Sequence, residues 1–269
     1  MATTSDHAAE IAGRFLCARR AAAGLDGYPG ELPDTLEGAY RIQDEAIAAW
    51  PMPVLGWKVG RVVPPFDSRH GTDRLAGPIF NVAESNSTVR RPMPVFADGF
   101  AAGEAEFLLR IGAEPPAGKS SFTLDEAAEL IDAVHVGIEV ASSPLRIIND
   151  LGPVAVVSDF GNNNGLLVGP AIAKWRDSDF ENWRVATLID GVEVGRGSAS
   201  NFPNGAIGSA RFLFELMAMR GIRLNSGQWI STGAITGVHE ARPGQAVEAR
   251  FGSDYCLDCR FVEALPEGE

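Results

Sequence analysis

The chain has 269 residues, of which 45% are hydrophobic and 22% are charged. These fractions are typical of a globular protein and exclude a disordered, collagen-like or coiled-coil chain. With 35 acidic against 23 basic residues and a formal net charge of −12, binding to nucleic acid or to an anionic membrane surface is not expected. Three cysteines are too few for a disulfide framework. No stretch approaches the roughly 20 apolar residues of a membrane span. The first 25 residues lack the apolar core of a signal peptide, so we expect a cytoplasmic protein.

Helical patterns occur in both halves of the chain. Apolar residues at 3.6-residue spacing predict two N-terminal helices, over 8–23 and 35–50, the second ended by Pro51. A capping box from Thr123 to Glu126 predicts a helix that runs to about Val134. A further helix is predicted from Gly205 to Met219, closed by Gly221.

Apolar or alternating runs predict strands over most of the remaining chain. They lie at 54–60, 104–111, 136–141, 154–157, 165–169, 184–189, 192–196, 228–231, 245–251 and 255–262. The stretch from Pro64 to Pro94 is predicted to be rich in loops. The chain is therefore expected to be α+β, with a helical N-terminal part at 1–60 and a mostly-β domain at 61–269.

One predicted strand places two carboxylates on a single face. Successive strand residues point to opposite faces, and in 104–111 all the odd positions are apolar. The even positions begin with Glu104 and Glu106, about 7 Å apart along the strand. Taken alone, this pattern also fits a solvated outer face.

Two further strands carry a charged residue among small ones. In 135–141 the even positions are apolar, and Glu139 stands on the other face between Gly137 and Ala141. In 54–60, Lys58 shares its face with glycines at 56 and 60, which leaves space around its ammonium group. An exposed glutamate and an edge-strand lysine are the simpler explanations of these strands taken singly.

Together these residues suggest a metal site. Three carboxylates near one point repel each other unless some are protonated or a cation lies between them. Oxygen ligands without His or Cys favour a hard ion, Mg²⁺ first and then Mn²⁺ or Ca²⁺. The sequence does not establish that these strands are neighbours.

At these residues the chain resembles the hydratase and decarboxylase branch of the fumarylacetoacetate hydrolase superfamily, whose activities include 2-keto-4-pentenoate hydration. The resemblance extends from residue 8 to about 262. Five blocks in order carry it: Ala39-Tyr-Arg-Ile-Gln43, Gly56-Trp-Lys-Val-Gly60, Glu104-Ala-Glu106, Gly137-Ile-Glu-Val140 and Ser231-Thr-Gly233.

The resemblance implies a mixed β-roll core surrounded by helices, a homo-oligomer, and Mg²⁺ or Mn²⁺ held by Glu104, Glu106 and Glu139. It also implies that Lys58 acts in catalysis, either as an acid/base with a lowered pKa or as a cationic partner of the substrate carboxylate. Asn163 and Thr232 are expected to bind substrate oxygens.

The expected activity is that of a hydro-lyase in aromatic hydrocarbon catabolism. It would add water to a 2-hydroxy-2,4-dienoate to give a 4-hydroxy-2-oxo acid. The alternatives are decarboxylation of a 2-oxo-3-enedioate, hydrolysis of an acylpyruvate, oxaloacetate tautomerisation or decarboxylation, and an inactive oligomeric scaffold. Three segments depart from the family pattern where the far end of the substrate should lie: Asn81, 141–144 and 161–165.

Two other features are predicted to have no part in chemistry. Arg19 and Arg20 are expected on a solvated helix face. Cys256 and Cys259 lack a second pair and a nearby histidine, so a zinc site is not expected. On a strand their side chains would point to opposite faces.

Overall fold

The computed structural model describes residues 4–85 and 88–268, and its β-strands form two mixed sheets. The seven-stranded sheet has the order β2-β1-β10-β5-β6-β7-β3, and the five-stranded sheet has the order β4-β12-β11-β8-β9. The strands are β1 Gly56–Arg61, β2 Arg74–Ile79, β3 Val82–Glu84, β4 Arg91–Val95, β5 Phe100–Ile111, β6 Ile131–Ser143, β7 Asn163–Ala171, β8 Val185–Ile189, β9 Val192–Gly197, β10 Trp229–Ser231, β11 Ala246–Phe251 and β12 Tyr255–Glu263.

The antiparallel pair β5 and β6 forms the centre of the larger sheet, and nearly all its side chains are buried. The odd positions of β5 and the even positions of β6 belong to the main core, which includes Phe107 and Ile138. A smaller cluster around Leu108 packs on the opposite face. Because both faces are covered along the middle of these strands, polar groups there lie in the protein interior, whereas Arg110 and Asp132 near one end are exposed.

Six α-helices accompany the sheets in the described part of the chain. They are α1 Thr4–Arg20, α2 Leu36–Ala49, α3 Phe66–His70, α4 Leu124–Glu129, α5 Pro153–Ser158 and α6 Gly205–Arg220. The Thr35 side chain caps α2 by accepting a hydrogen bond from the Gly38 amide. Apolar residues of α1 and α2, such as Phe15 and Ile42, pack in a second cluster with residues near the end of β6.

The predicted α+β class is confirmed, with two mixed sheets and helices at the N-terminus. The division at residue 60 stays a prediction; β1, which crosses it, lies in the seven-stranded sheet. The two long N-terminal helices and the one at 205–219 are present within a few residues of their predicted bounds.

Three local predictions were wrong. Residues 154–157 lie in helix α5, which starts at Pro153 after Gly152 at a φ of 84°. A short apolar run does not distinguish a buried helix from a strand.

The capping box of α4 is present, but that helix ends at Glu129 because β6 begins at Ile131. The stretch 64–94, predicted to be rich in loops, contains β2, β3 and part of β4. All six residues of β2 are buried, so its sequence lacks the alternation of apolar and polar residues by which a half-exposed strand is recognised.

Arg19 does not lie on a solvated face. Its guanidinium group forms an ion pair with Asp159, with 2.6 Å between Nε and Oδ1, and both side chains are buried. The group also lies over the Phe160 ring. The interaction connects α1 to the segment just before β7. Cys256 is exposed and Cys259 is buried on the same strand, so the prediction that their side chains point to opposite faces is confirmed.

Within residues 4–85 and 88–268, no helix is both long and apolar enough to cross a bilayer.

Candidate metal centre

The three predicted glutamates meet at the centre of the seven-stranded sheet. Glu104 and Glu139 are register partners on β5 and β6, and Glu106 lies opposite Gly137. All three side chains are buried, at 5%, 0% and 0% exposure for Glu104, Glu106 and Glu139. The solvated outer face is therefore excluded as an explanation of the β5 pattern.

The three carboxylates fit a divalent cation. Each offers one oxygen atom, and these atoms all lie within 4.8 Å of one another. That spacing is compatible with an ion whose oxygen ligands lie about 2.1 to 2.6 Å away. Two buried oxygens of these carboxylates have no hydrogen-bond partner, Oε1 of Glu106 and Oε2 of Glu139, and only the second has a cation nearby, the Lys58 ammonium group. Such an atom is costly unless a cation or a proton satisfies it.

Glu106 is fixed by the segment that follows β10. Its Oε2 accepts hydrogen bonds from the Ser231 hydroxyl and, at 2.8 Å, from the Gly233 amide. Gly233 has a φ of 113°, a region that glycine adopts more readily than other residues. These two bonds fix the orientation of the Glu106 carboxylate and leave its Oε1 without a hydrogen-bond partner.

Lys58 reaches the same point from β1. It pairs in register with Ser231 on β10 and with Gly77 on β2, and its Nζ lies 3.0 Å from Oε2 of Glu139. The centre therefore combines three carboxylates with one buried ammonium group.

The electrostatics of the centre favour charge neutralisation. The pKa of Glu104 is raised to about 8. Burial is the largest cause, the charge of Lys58 acts against it, and the charge of Glu139 adds to it. Burial, followed by the charges of Glu139 and Glu104, raises the pKa of Glu106 well above its ordinary value. Burial lowers the pKa of Lys58, but the charges of the three glutamates raise it by more. In the metal-free protein the three glutamates therefore stabilise the charged form of Lys58, and its role in catalysis stays a prediction.

The two other predicted site residues, Asn163 and Thr232, are both buried, and their binding of substrate oxygens stays a prediction. The Asn163 amide donates to Oε1 of Glu139 at 2.9 Å, so it orients a carboxylate. The Thr232 hydroxyl donates to the Phe107 carbonyl at 2.8 Å. Within the Ser231-Thr232-Gly233 block, the outer residues contact Glu106 and the middle one does not.

A cavity of about 640 Å³ opens onto this centre, and Lys58 and Glu104 form part of its wall. Apolar side chains cover much of the remaining surface, and a few polar ones interrupt it. The apolar residues include Val62, Phe66, Leu75, Val156, Phe202 and Ile235. The polar ones are Arg61, Asn149, Asn162, Arg196, Asn201 and Thr236.

Sequence reasoning missed two of these polar residues. Asn162 is 3% exposed, and its Oδ1 has no hydrogen-bond partner. The Asn-rich segment 161–165 is the sequence signal that could have found it. Arg61 directly follows the Gly-Trp-Lys-Val-Gly block, and its Nε is also buried without a partner.

Comparison with known proteins identifies relatives of this architecture. No protein-family model matches the chain. A 109-residue stretch is 27% identical to 4-oxalocrotonate decarboxylase of Pseudomonas putida and covers 40% of this chain and 41% of that protein. The aligned part therefore spans less than half of the relative.

Solved structures match over a larger part of the chain. 4-Oxalocrotonate decarboxylase from Pseudomonas putida G7, complexed with calcium and acetate, superimposes with a TM-score of 0.80 at 20% identity. The match covers 97% of this chain and 99% of that one, and the same enzyme is also known complexed with magnesium and adipate. Fumarylpyruvate hydrolase from Pseudomonas aeruginosa, complexed with Mn²⁺ and pyruvate, has a TM-score of 0.58 at 16% identity, over 80% of this chain and 91% of its own.

The chain thus has the fold of the fumarylacetoacetate hydrolase superfamily. The fold that the resemblance implied is therefore confirmed.

Proposed function

We propose that this protein is a divalent-metal-dependent enzyme that decarboxylates a 2-oxo-3-enedioate. The observation that carries the proposal is the cluster of three buried carboxylates within 4.8 Å of one another, beside a buried lysine at the wall of a cavity. Glu104, Glu106 and Glu139 would hold Mg²⁺ or Mn²⁺. When bound, the ion would supply positive charge to the carboxylate and 2-oxo oxygens of the substrate.

Decarboxylation requires an electron sink for the electron pair of the bond that breaks. Breaking the bond between C5 and C6 of the substrate releases CO₂ and leaves an electron pair in the conjugated system, so negative charge collects on the 2-oxo oxygen. Uptake of one proton by that oxygen gives a 2-hydroxy-2,4-dienoate. Lys58 is cationic and lines the cavity, so its ammonium group would stabilise the developing charge or donate that proton.

Decarboxylation is favoured here over the hydration expected from the sequence. Both reactions use the same stabilised enolate, so the metal centre does not separate them. The curated relatives in the comparison are decarboxylases, and the structure with a TM-score of 0.80 over 97% of the chain is one as well. The remaining expectations, a homo-oligomer and a role in aromatic catabolism, stay predictions.

Acylpyruvate hydrolysis is less well supported because it commonly uses a His–Glu pair. In the described part of the chain, no histidine lines the cavity. The Nδ1 of His135 lies 2.8 Å from the Gly169 carbonyl, and its ring packs on Trp229. His70 lies at the end of α3.

The test is an assay of the purified protein with 2-oxohex-3-enedioate in the presence of Mg²⁺ or Mn²⁺. Release of CO₂ that stops on chelation and returns with metal would support the proposal. Glu106→Gln should abolish it, whereas Glu129→Gln, an exposed residue of α4, should not.

Three other outcomes separate the alternatives. Turnover of a 2-hydroxy-2,4-dienoate to a 4-hydroxy-2-oxo acid without CO₂ release would replace decarboxylation by hydration. Turnover unchanged in Glu106→Gln would remove the metal from the mechanism. An inactive scaffold would bind no Mg²⁺ in a calorimetric titration.

A further inference from the structure

One cation in the cavity wall has no counter-charge. Arg61 follows Lys58 by three residues, so alternation directs the two side chains to opposite faces of β1. Both residues nevertheless line the cavity, which extends past the end of this strand along Val62 and Phe66. Among residues 4–85 and 88–268, the Arg61 guanidinium group has neither an ion-pair partner nor a hydrogen-bond acceptor, and its Nε is buried. A buried donor left unsatisfied is costly, so this group is suited to a ligand.

We propose that Arg61 forms a second subsite of this cavity, which binds the far carboxylate of a 2-oxo dioic acid. The inference rests on the proposed function for the other end of the ligand. It assigns this protein a dicarboxylic substrate in preference to a monocarboxylic 2-oxo acid of the same length.

The Arg61 side chain is held in place without using its hydrogen-bond donors. Its guanidinium carbon lies 5.2 Å from the centre of the Phe202 ring, and Phe202 also lines the cavity. Contact with an aromatic face leaves the N–H groups at the edge of the guanidinium plane free. An arginine in this state can bind a carboxylate through two parallel hydrogen bonds.

The surroundings of Arg61 contain an excess of positive charge. Its register partner on β2 is Arg74, whose guanidinium group already pairs with Asp73 and donates to the Pro203 carbonyl. Arg211 on α6 also has a buried Nε without a partner. Burial lowers the pKa of Arg74, and the charges of Arg61 and Arg211 lower it further. An anion at Arg61 would relieve this repulsion, as a cation relieves that of the three glutamates.

The other cavity arginine provides a contrast. Arg196 also lines the cavity, but its side chain is exposed and its guanidinium group is paired with Glu193, with Nε 2.8 Å from Oε1. Its donors are therefore already engaged by this protein's own carboxylate. Of the two arginines that line the cavity, Arg61 is therefore the one whose guanidinium group is available to bind an anion.

The cavity wall thus combines two kinds of binding group. Glu104 and Lys58 are suited to a metal-chelating 2-oxo carboxylate, and Arg61 is suited to a second carboxylate. Apolar residues, among them Val62 and Leu75, line the same cavity. A 2-oxo dioic acid, with two polar ends joined by a hydrocarbon chain, matches this arrangement.

The experiment compares two six-carbon ligands that differ only at the far end, 2-oxoadipate and 2-oxohexanoate, by calorimetry on the Mg²⁺-loaded protein. The wild type should bind 2-oxoadipate about tenfold or more tightly, as expected for a charge-assisted pair. Arg61→Met should remove this preference and leave the affinity for 2-oxohexanoate unchanged. The matched control Arg196→Met should retain the preference.

Each other outcome has a definite meaning. If Arg61→Met keeps the preference, or weakens both ligands equally, the subsite is overturned while the proposed function stands. If the wild type binds neither acid in a metal-dependent way, the proposed function fails and the subsite with it. If Arg61→Met does not give a wild-type melting curve, Arg61→Lys is used instead. Lysine keeps the charge but cannot form the two parallel hydrogen bonds. The preference of Arg61→Lys for 2-oxoadipate over 2-oxohexanoate should therefore be weaker than that of the wild type but still present.

Discussion

Glu104 and Glu139 face each other directly across β5 and β6, in the interior of the protein. Like charges opposite each other destabilise a strand pair, and burial increases the cost. The sheet therefore carries a local electrostatic penalty at its centre that a bound cation would remove.

The first prediction concerns stability without metal. Replacing Glu104 by Gln should raise the free energy of unfolding of the chelator-treated protein by about 1 to 3 kcal/mol at pH 8. The reason is that the Glu104 carboxyl is fully ionised in the unfolded chain at this pH, whereas burial raises its pKa to about 8 and makes its charge costly in the folded state. The substitution should also abolish stabilisation by Mg²⁺. Urea unfolding with and without Mg²⁺ measures both effects, with Glu129→Gln as the exposed control. Lower stability of Glu104→Gln without metal would contradict the repulsion inferred here.

The second prediction concerns pH. The folded-state pKa of Glu104, about 8, lies above its ordinary value. The folded protein therefore binds more protons than the unfolded chain between about pH 4.5 and pH 8, and its stability without metal should fall as pH rises through this window. Metal binding must displace these protons, so the apparent Mg²⁺ affinity should rise over the same range. Calorimetry at several pH values tests this, and an affinity independent of pH would argue against a protonated Glu104.

The third prediction concerns Lys58. Its ammonium group is the one cation within 4.0 Å of these carboxylates among the described residues. Lys58→Met should destabilise the metal-free protein by roughly 3 to 5 kcal/mol, because it leaves buried negative charge uncompensated. Turnover should fall by about a hundredfold or more even when Mg²⁺ restores the fold. Lys174→Met, at an exposed site, is the control, and near-normal turnover of Lys58→Met would exclude its catalytic role.

The fourth prediction separates binding from chemistry at Arg61. In a decarboxylation the far carboxylate loses its charge as it becomes CO₂, so a guanidinium group pairs with it more strongly in the ground state than in the transition state. Arg61→Met should therefore raise KM for 2-oxohex-3-enedioate about tenfold or more without lowering kcat. Steady-state kinetics test this. A fall in kcat at unchanged KM would place Arg61 in the chemical step.

The fifth prediction concerns the connection between α1 and the segment before β7. Arg19 and Asp159 are both buried, and the Ser143 hydroxyl also donates to Asp159 at 2.6 Å. Arg19→Met should cost about 3 to 5 kcal/mol of stability, because it leaves a buried carboxylate unpaired. Arg14→Met should cost less than about 0.5 kcal/mol, because its ion pair with Glu10 is exposed. Equal effects of the two variants in urea unfolding would show that burial of the Arg19 pair is unimportant.

The sequence by itself determined which side chains share a face within each strand. Alternation placed Glu104 with Glu106, and it placed Glu139 and Lys58 each among small residues. This worked because the direction of a strand side chain depends only on local backbone geometry. The same locality explains the success at the capping box of Thr123 and Glu126.

Only the tertiary structure decided which faces meet. β1 pairs with β10, far away in sequence, and this brings Lys58 and Ser231 to the glutamates. The burial of Arg19 and the missing partner of Arg61 likewise depend on segments distant in the chain. Alternation specifies the direction of a side chain but not what lies opposite it, because that contact is set by the packing of whole elements.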